Sequence, residues 1–159
     1  VMDSTGVRWK AIFGNGYNSN NQDAVLFVVD IQNGAVDIIQ AEEVGRASIA
    51  NGLGNLIAID RWVGRTKGAG EVAGRDGLAD TVYAGDQNGA VWKFDLRDNS
   101  VSAAPFFIAQ DASGARQPIL GGFDAAAGPG GGVMLYFGTG SFSFEGDKTD
   151  DQLQSFYGV

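Results

Sequence analysis

The peptide Gln-Asn-Gly-Ala-Val occurs twice, at 32–36 and again at 87–91, each time between β-forming runs of period two. In the second copy, Thr81-Val-Tyr-Ala-Gly-Asp86 leads in and Ala90-Val-Trp-Lys-Phe-Asp95 leads out. Val82, Ala84, Val91 and Lys93 alternate with Tyr83, Trp92 and Phe94, which is the period of a strand rather than a helix. An Asn-Gly pair between such runs is a strong hairpin signal, and it predicts positive φ at both turn residues. The first copy, Ala24-Val-Leu-Phe-Val-Val-Asp-Ile-Gln-Asn-Gly-Ala-Val-Asp-Ile-Ile39, has the same form, with its Asp displaced by one residue. A hairpin that recurs in this way points to a repeat architecture, and propeller blades are the all-β solution that stacks such units.

The rest of the chain reads in the same terms. Strands are expected within 7–13, 24–39, 50–60 (a glycine turn leading into a strand), 81–96, 101–109, 133–137 and 153–159, with a short edge strand at 118–120. One short helix is expected within 40–48, an irregular loop over 61–74, a flexible connector at 125–132 and an acidic solvated loop at 145–151. The 25 glycines among 159 residues, with only 3 prolines, fit many tight turns between short strands. Four-stranded blades run about 40–50 residues, so the length suffices for three to four. The expected fold is therefore an all-β, partial β-propeller, treated as one segment over 1–159 and excised from something longer.

Charge and composition remove several classes of function. A net charge of −8 argues against a nucleic-acid groove or an anionic membrane as the main partner, because both need clustered Lys and Arg. Without cysteine there are no disulfides, thiolate metal sites or cysteine nucleophiles, and without histidine there is no Ser-His-Asp triad. No apolar run is long enough to span a bilayer. Gly14-Asn-Gly16 fails the dinucleotide fingerprint because Ser19 stands at its third glycine position. Trp9, Tyr17, Trp62 and Trp92 are the aromatic candidates for a contact patch, with Trp92 read as core and Trp62 as the better exposed.

Several stretches taken in order resemble one family. They are Trp9-Lys-Ala-Ile-Phe-Gly-Asn-Gly-Tyr-Asn-Ser19, Leu26-Phe-Val-Val-Asp30, Ala50-Asn-Gly-Leu53, Asp60, Val82-Tyr-Ala-Gly-Asp86, Trp92-Lys-Phe-Asp-Leu96, Phe137-Gly-Thr-Gly140 and Gln154-Ser-Phe-Tyr-Gly158. The set is similar to the C-terminal β-propeller of the PilY/PilC type IV pilus tip-associated biogenesis factors and adhesins. The Tyr-Ala-Gly-Asp hairpin alone also resembles quinoprotein blades. The resemblance implies a non-enzymatic module of an exported bacterial protein at the pilus tip or outer envelope. Its partners would be minor pilins and a host or abiotic surface, and its roles would be pilus assembly, opposition to retraction, twitching motility and attachment. A quinoprotein-like enzyme and an envelope scaffold unrelated to pili are the alternatives.

The resemblance also implies a calcium loop just before the Tyr-Ala-Gly-Asp strand. Calcium takes about six to eight oxygen ligands. Asp76, Leu78 (through its carbonyl) and Asp80 are the positions this chain retains, while Val72 and Gly74 stand where two carboxylates are needed. The alternative is that Asp76 and Asp80 only cap a turn. The acidic residues Glu145, Asp147, Asp150 and Asp151 do not match the calcium spacing.

Overall fold

A computed structural model describes residues 1–3, 6–43, 50–60, 77–129 and 132–159. Among these residues the architecture is all-β, in three stacked antiparallel sheets with a two-stranded ribbon of β1 (Met2–Asp3) and β2 (Gly6–Val7).

The first sheet has the order β3 (Lys10–Gly14), β4 (Ala24–Asp30), β5 (Val36–Ala41). In β4 the side chains of Ala24, Leu26, Val28 and Asp30 are buried, and the residues between them are only half-buried. The second sheet contains β6 (Leu53–Ile59), β7 (Thr81–Asp86), β8 (Ala90–Asp95) and two short outer strands, β9 (Ser100–Val101) and β10 (Phe107–Ile108), which both pair with β8. Every residue of β7 is buried, because this strand is central in its sheet and covered on both faces. The third sheet has the order β11 (Phe123–Ala127), β12 (Val133–Gly138), β13 (Phe156–Gly158).

Two cores result, one per sheet-to-sheet contact. Between the first and second sheets, Leu26, Val28, Ile39 and Ala41 meet Leu53, Val82, Ala84, Trp92 and Phe94. Between the second and third, Tyr83, Val91, Ile57 and Phe107 meet Phe123, Leu135, Phe137 and Tyr157. Ring contacts among Phe107, Phe123, Phe137 and Tyr157, with centroids 5.1–6.0 Å apart, fix the second contact geometrically.

Several expectations are corrected. The connector expected at 125–132 begins as strand: Phe123–Ala127 pairs in register with Val133–Phe137, so Ala125 lies opposite Leu135. Alanine is a weak strand former, and here the partner strand supplies the order. The helix expected over 40–48 is not seen where it is described, because Gln40 and Ala41 extend β5 opposite Val25 and Ala24; 44–49 lie outside the described residues. The edge strand at 118–120 reduces to one bridge, Ile119 to Gly140. In the acidic segment, Glu145–Thr149 forms a single 3-10 turn. Its Asp147 carboxylate accepts from the Ser143 and Phe144 amides at 2.8 Å, and hydrogen bonding to Ser141 holds that carboxyl below the usual range. The loop expected over 61–74 lies outside the described residues.

Candidate functional site

The two repeated turns have a construction that differs from the expected mirror-image turn. Positive φ falls on Gly34 and Gly89 alone, at 74° and 77°, and neither Asn33 nor Asn88 adopts it. The aspartate that opens each turn does the remaining work. The Asp30 carboxylate accepts from the Gln32 and Asn33 amides, and the Asp30 carbonyl accepts from Gly34 at 2.8 Å. The Asp86 carboxylate accepts from the Asn88 and Ala90 amides, both at 2.9 Å, and its carbonyl accepts from Gly89 at 3.2 Å. This arrangement satisfies turn amides that a short loop otherwise leaves open.

A third copy was not anticipated. At 111–116 the Asp111 carboxylate accepts from the Ser113 and Ala115 amides, Gly114 donates to the Asp111 carbonyl at 3.0 Å, and Gly114 has φ of 85°. The Asp-x-x-Gly spacing shared by 86–89 and 111–114 was the available signal, hidden because no long strands flank the third turn.

Asp86 is the hub of these turns and is only 1% exposed. Its second carboxylate oxygen accepts from the Trp92 indole at 2.9 Å and from the Asn51 amide at 3.1 Å. Its carbonyl also accepts from Ile119, 3.1 Å away. Around it, Gln87 and Asn88 both donate to the Ala50 carbonyl, and Asn18 donates its amide to Gln87. One residue thus ties the β7–β8 hairpin to the chain before β6 and to the segment leading to β11. Asn15 does the same for the first sheet: its side-chain oxygen accepts from both Val25 and Leu53. Where these segments meet, glycine is obligatory at two points. A Cβ on Gly52 would stand 1.9 Å from the Gly16 carbonyl oxygen, and one on Gly14 2.3 Å from that of Leu53.

The hub is suited to holding strands together, not to chemistry. A carboxylate offers about four acceptor positions, and four donors occupy those of Asp86. No lone pair remains for a metal ion. Among the described residues, no group of three or more acidic side chains converges as a metal site requires.

Of the residues that the family resemblance singled out for calcium, Asp76 lies outside the described residues. Asp80 ends the approach to β7: its amide donates to Ile59 at 3.1 Å, its carbonyl accepts from Leu96 at 2.8 Å, and its carboxylate accepts from the Thr81 hydroxyl at 2.7 Å. Gly77, adjacent to Leu78, donates its amide to the Asp60 carboxylate at 2.8 Å. Asp80 therefore serves a strand start. The donor set does not fit a complete calcium cage, since Val72 and Gly74 bring no side-chain oxygen.

The aromatic candidates divide by environment. Trp92 is core, as its alternation implied. Tyr17 is a link rather than a contact residue: its hydroxyl donates to the Leu120 carbonyl at 2.8 Å, and burial raises its pKa. Trp9 is 85% exposed, and Trp62 lies outside the described residues.

The comparisons with known proteins bear on the whole assembly. A family model described as the PilY1 beta-propeller domain matches residues 3–126. A Type IV pilus biogenesis factor PilY1 homolog of Xylella fastidiosa is 38% identical over 95% of this chain and 11% of its own length. The Type IV pilus biogenesis factor PilY1 of Pseudomonas aeruginosa is 30% identical over 96% of this chain and 14% of its own length. The crystal structure of the Pseudomonas aeruginosa PilY1 C-terminal domain aligns with a TM-score of 0.73 at 29% identity, covering 95% of this chain and 33% of that one. The chain thus spans less than a sixth of the curated relatives and a third of the solved domain.

Proposed function

Because this chain belongs to the PilY1 β-propeller family, we propose that it is a structural, non-enzymatic part of a type IV pilus biogenesis factor. The observation that carries this reading is the stack of three sheets, aligned over 95% of the chain with the PilY1 C-terminal domain and pinned at the buried Asp86 carboxylate. In this reading the module supports pilus assembly and opposes retraction, and through these it supports twitching and attachment. Its partners are minor pilins at the tip, with a host or abiotic surface beyond them, and its place is the outer envelope or the extracellular pilus. No helix among the described residues is long and apolar enough to cross a membrane.

The donor set before β7 favours a module that keeps its fold without bound calcium.

The test is genetic and direct. In a bacterium carrying the gene, in-frame removal of 1–159 should abolish surface pili and twitching. Surface pili, but not twitching, which itself needs retraction, should return when the retraction motor is also removed. Piliation that survives the deletion would refute the proposal, as would a bound quinone absorbance in the purified protein.

A further inference from the structure

Asn-Gly occurs four times in this chain, at 15–16, 33–34, 51–52 and 88–89. A glycine after asparagine lets the side-chain amide fold onto the next peptide nitrogen without a Cβ in the way, so Asn-Gly is the pair most prone to deamidation. Two of the four lie in the identical peptide Gln-Asn-Gly-Ala-Val. Whatever separates Asn33 from Asn88 is therefore set by the tertiary structure and not by neighbours in sequence.

The fold restrains three of the four. The Asn15 side chain donates to the Asp23 carbonyl at 2.9 Å, and its oxygen accepts from Val25 and Leu53. Asn51 donates to Asp86, and its oxygen holds the amide of Gly52, a buried residue packed against the Gly16 carbonyl. Asn88 donates to the Ala50 carbonyl at 3.2 Å. Its Gly89 is buried beneath the chain that runs from Ala109 to Ile119: the Gly89 carbonyl accepts from Ala109 at 2.8 Å, and a Cβ on Gly89 would stand 2.6 Å from the Gln117 carbonyl oxygen.

Nothing of this kind covers Asn33. Residues 31–38 are all exposed, and a Cβ on Gly34 would meet nothing within 4 Å. Among the described residues the Asn33 side chain makes one hydrogen bond, accepting from the Ala35 amide at 2.9 Å. That bond lays the side-chain carbonyl beside the Gly34 peptide, as in an Asx turn, and draws electron density from its carbon. In both repeated turns the glycine amide donates to the carbonyl of the opening aspartate, so this bond does not separate them. Water can replace that acceptor at exposed Gly34 and cannot at buried Gly89. Exposure here does not depend on which sheets lie alongside. β5 packs beside β9, which makes the β4–β5 turn the counterpart of the β8–β9 turn. Residues 97–100 of that turn are exposed although the second sheet has a sheet on each side.

We propose that Asn33 is a site of spontaneous deamidation and that Asn88, in the same peptide, is its protected copy. The Gly34 nitrogen, giving its proton to solvent, attacks the Asn33 side-chain carbon. The new N–C bond closes a five-membered imide as the C–Nδ2 bond breaks, and the side-chain nitrogen leaves as ammonia. Water then opens the imide at either carbonyl, leaving aspartate or isoaspartate at 33. Either product adds a negative charge between Asp30 and Asp37 in the chain. Isoaspartate also lengthens the backbone inside the turn whose Asp30–Ala35 hydrogen bond closes the Val29–Val36 end of the ladder. The inference rests on the two turns and not on the pilus role.

The test is incubation of the purified chain at neutral pH and 37 °C, with digestion and fragmentation mass spectrometry at each of the four asparagines, in buffer and in concentrated urea. In urea, Asn33 and Asn88 should convert at equal rates. In buffer, Asn33 should convert at least about tenfold faster than the other three, which must wait for local opening. Asn33→Ser should remove the acidic species that accumulates on native isoelectric focusing. Equal conversion of Asn33 and Asn88 in buffer would overturn the proposal, as would an Asn33 that outlasts Asn15 or Asn51. So would an acidic species that forms in Asn33→Ser at the parent's rate, which places the reaction elsewhere.

Discussion

Replacing Asp86 by alanine should destabilise the fold more than any other single carboxylate substitution in the chain. The carboxylate accepts four hydrogen bonds of 2.9–3.1 Å. Two of its donors, the Ala90 amide and the Trp92 indole, belong to residues that are fully buried, so water cannot replace the lost acceptor. A buried donor left unsatisfied costs about 1–3 kcal/mol, which gives roughly 2–6 kcal/mol for these two. The Asn88 and Asn51 donors are partly exposed and recover much of their loss by hydration. The expected total of about 3–5 kcal/mol is a large share of the 5–15 kcal/mol typical of a domain. Asp86→Asn should cost about half as much. It keeps an oxygen for the two turn amides but turns an NH2 group towards the indole and the Asn51 amide. The assay is urea unfolding followed by far-UV circular dichroism at one fixed protein concentration, with Asp37→Ala as an exposed control. Adding Trp92→Phe to Asp86→Ala should show a coupling of about 1–2 kcal/mol, since the second change removes a donor already orphaned by the first. A loss below about 1 kcal/mol for Asp86→Ala, with an unchanged denaturant slope, would refute the hub.

Four further outcomes are expected. Asp111 is held at about 2, below the ordinary 3.8, by hydrogen bonds from Ser113 and Gln152, and Asp30 and Asp95 are lowered chiefly by Lys10 and Arg97. Their folded pKa values are depressed, so the stability they contribute is present above the ordinary carboxylate pKa and is lost as pH falls below it, through about 2 for Asp111; Asp111→Asn should flatten that decline in acid unfolding curves. Gly52→Ala should prevent soluble folding, since its Cβ would meet a backbone oxygen, whereas Gly122→Ala, with nothing within 4 Å, should leave the melting temperature within a degree or two on the usual scale for neutral surface changes. Gln117 is fully buried, donates to Leu153 at 2.7 Å and Ser155 at 2.9 Å, and accepts from the Tyr157 hydroxyl at 2.7 Å, so Gln117→Ala should release β13 and speed hydrogen exchange at 156–159 at least tenfold, about 1.4 kcal/mol of local protection. Calcium titration by calorimetry should give no saturable heat that Asp76→Ala/Asp80→Ala removes; a saturable, variant-sensitive signal would show that other oxygens complete the loop.

The sequence by itself determined the two long hairpins and the all-β propeller class, because alternation and turn residues act over a few neighbours. Val25, Phe27 and Val29 had to share one face of β4, and Gly34 and Gly89 had to take the left-handed turn positions, whatever the rest of the chain did. The ordered motifs carried the family for the same reason. Tertiary structure alone decided which donors reach Asp86, since Asn51 and Ile119 come from segments about 35 residues away on either side. It also made strand of Ala125 and Ala126, whose own preference is weak, by setting them against Leu135 and Met134. The same holds for the aromatics: Trp92 and Trp9 are equally apolar in the sequence, yet one is enclosed between two sheets and the other stands on a face that this chain leaves open. Period-two alternation tells which side chains share a face, but only the stacking of sheets tells which faces are covered.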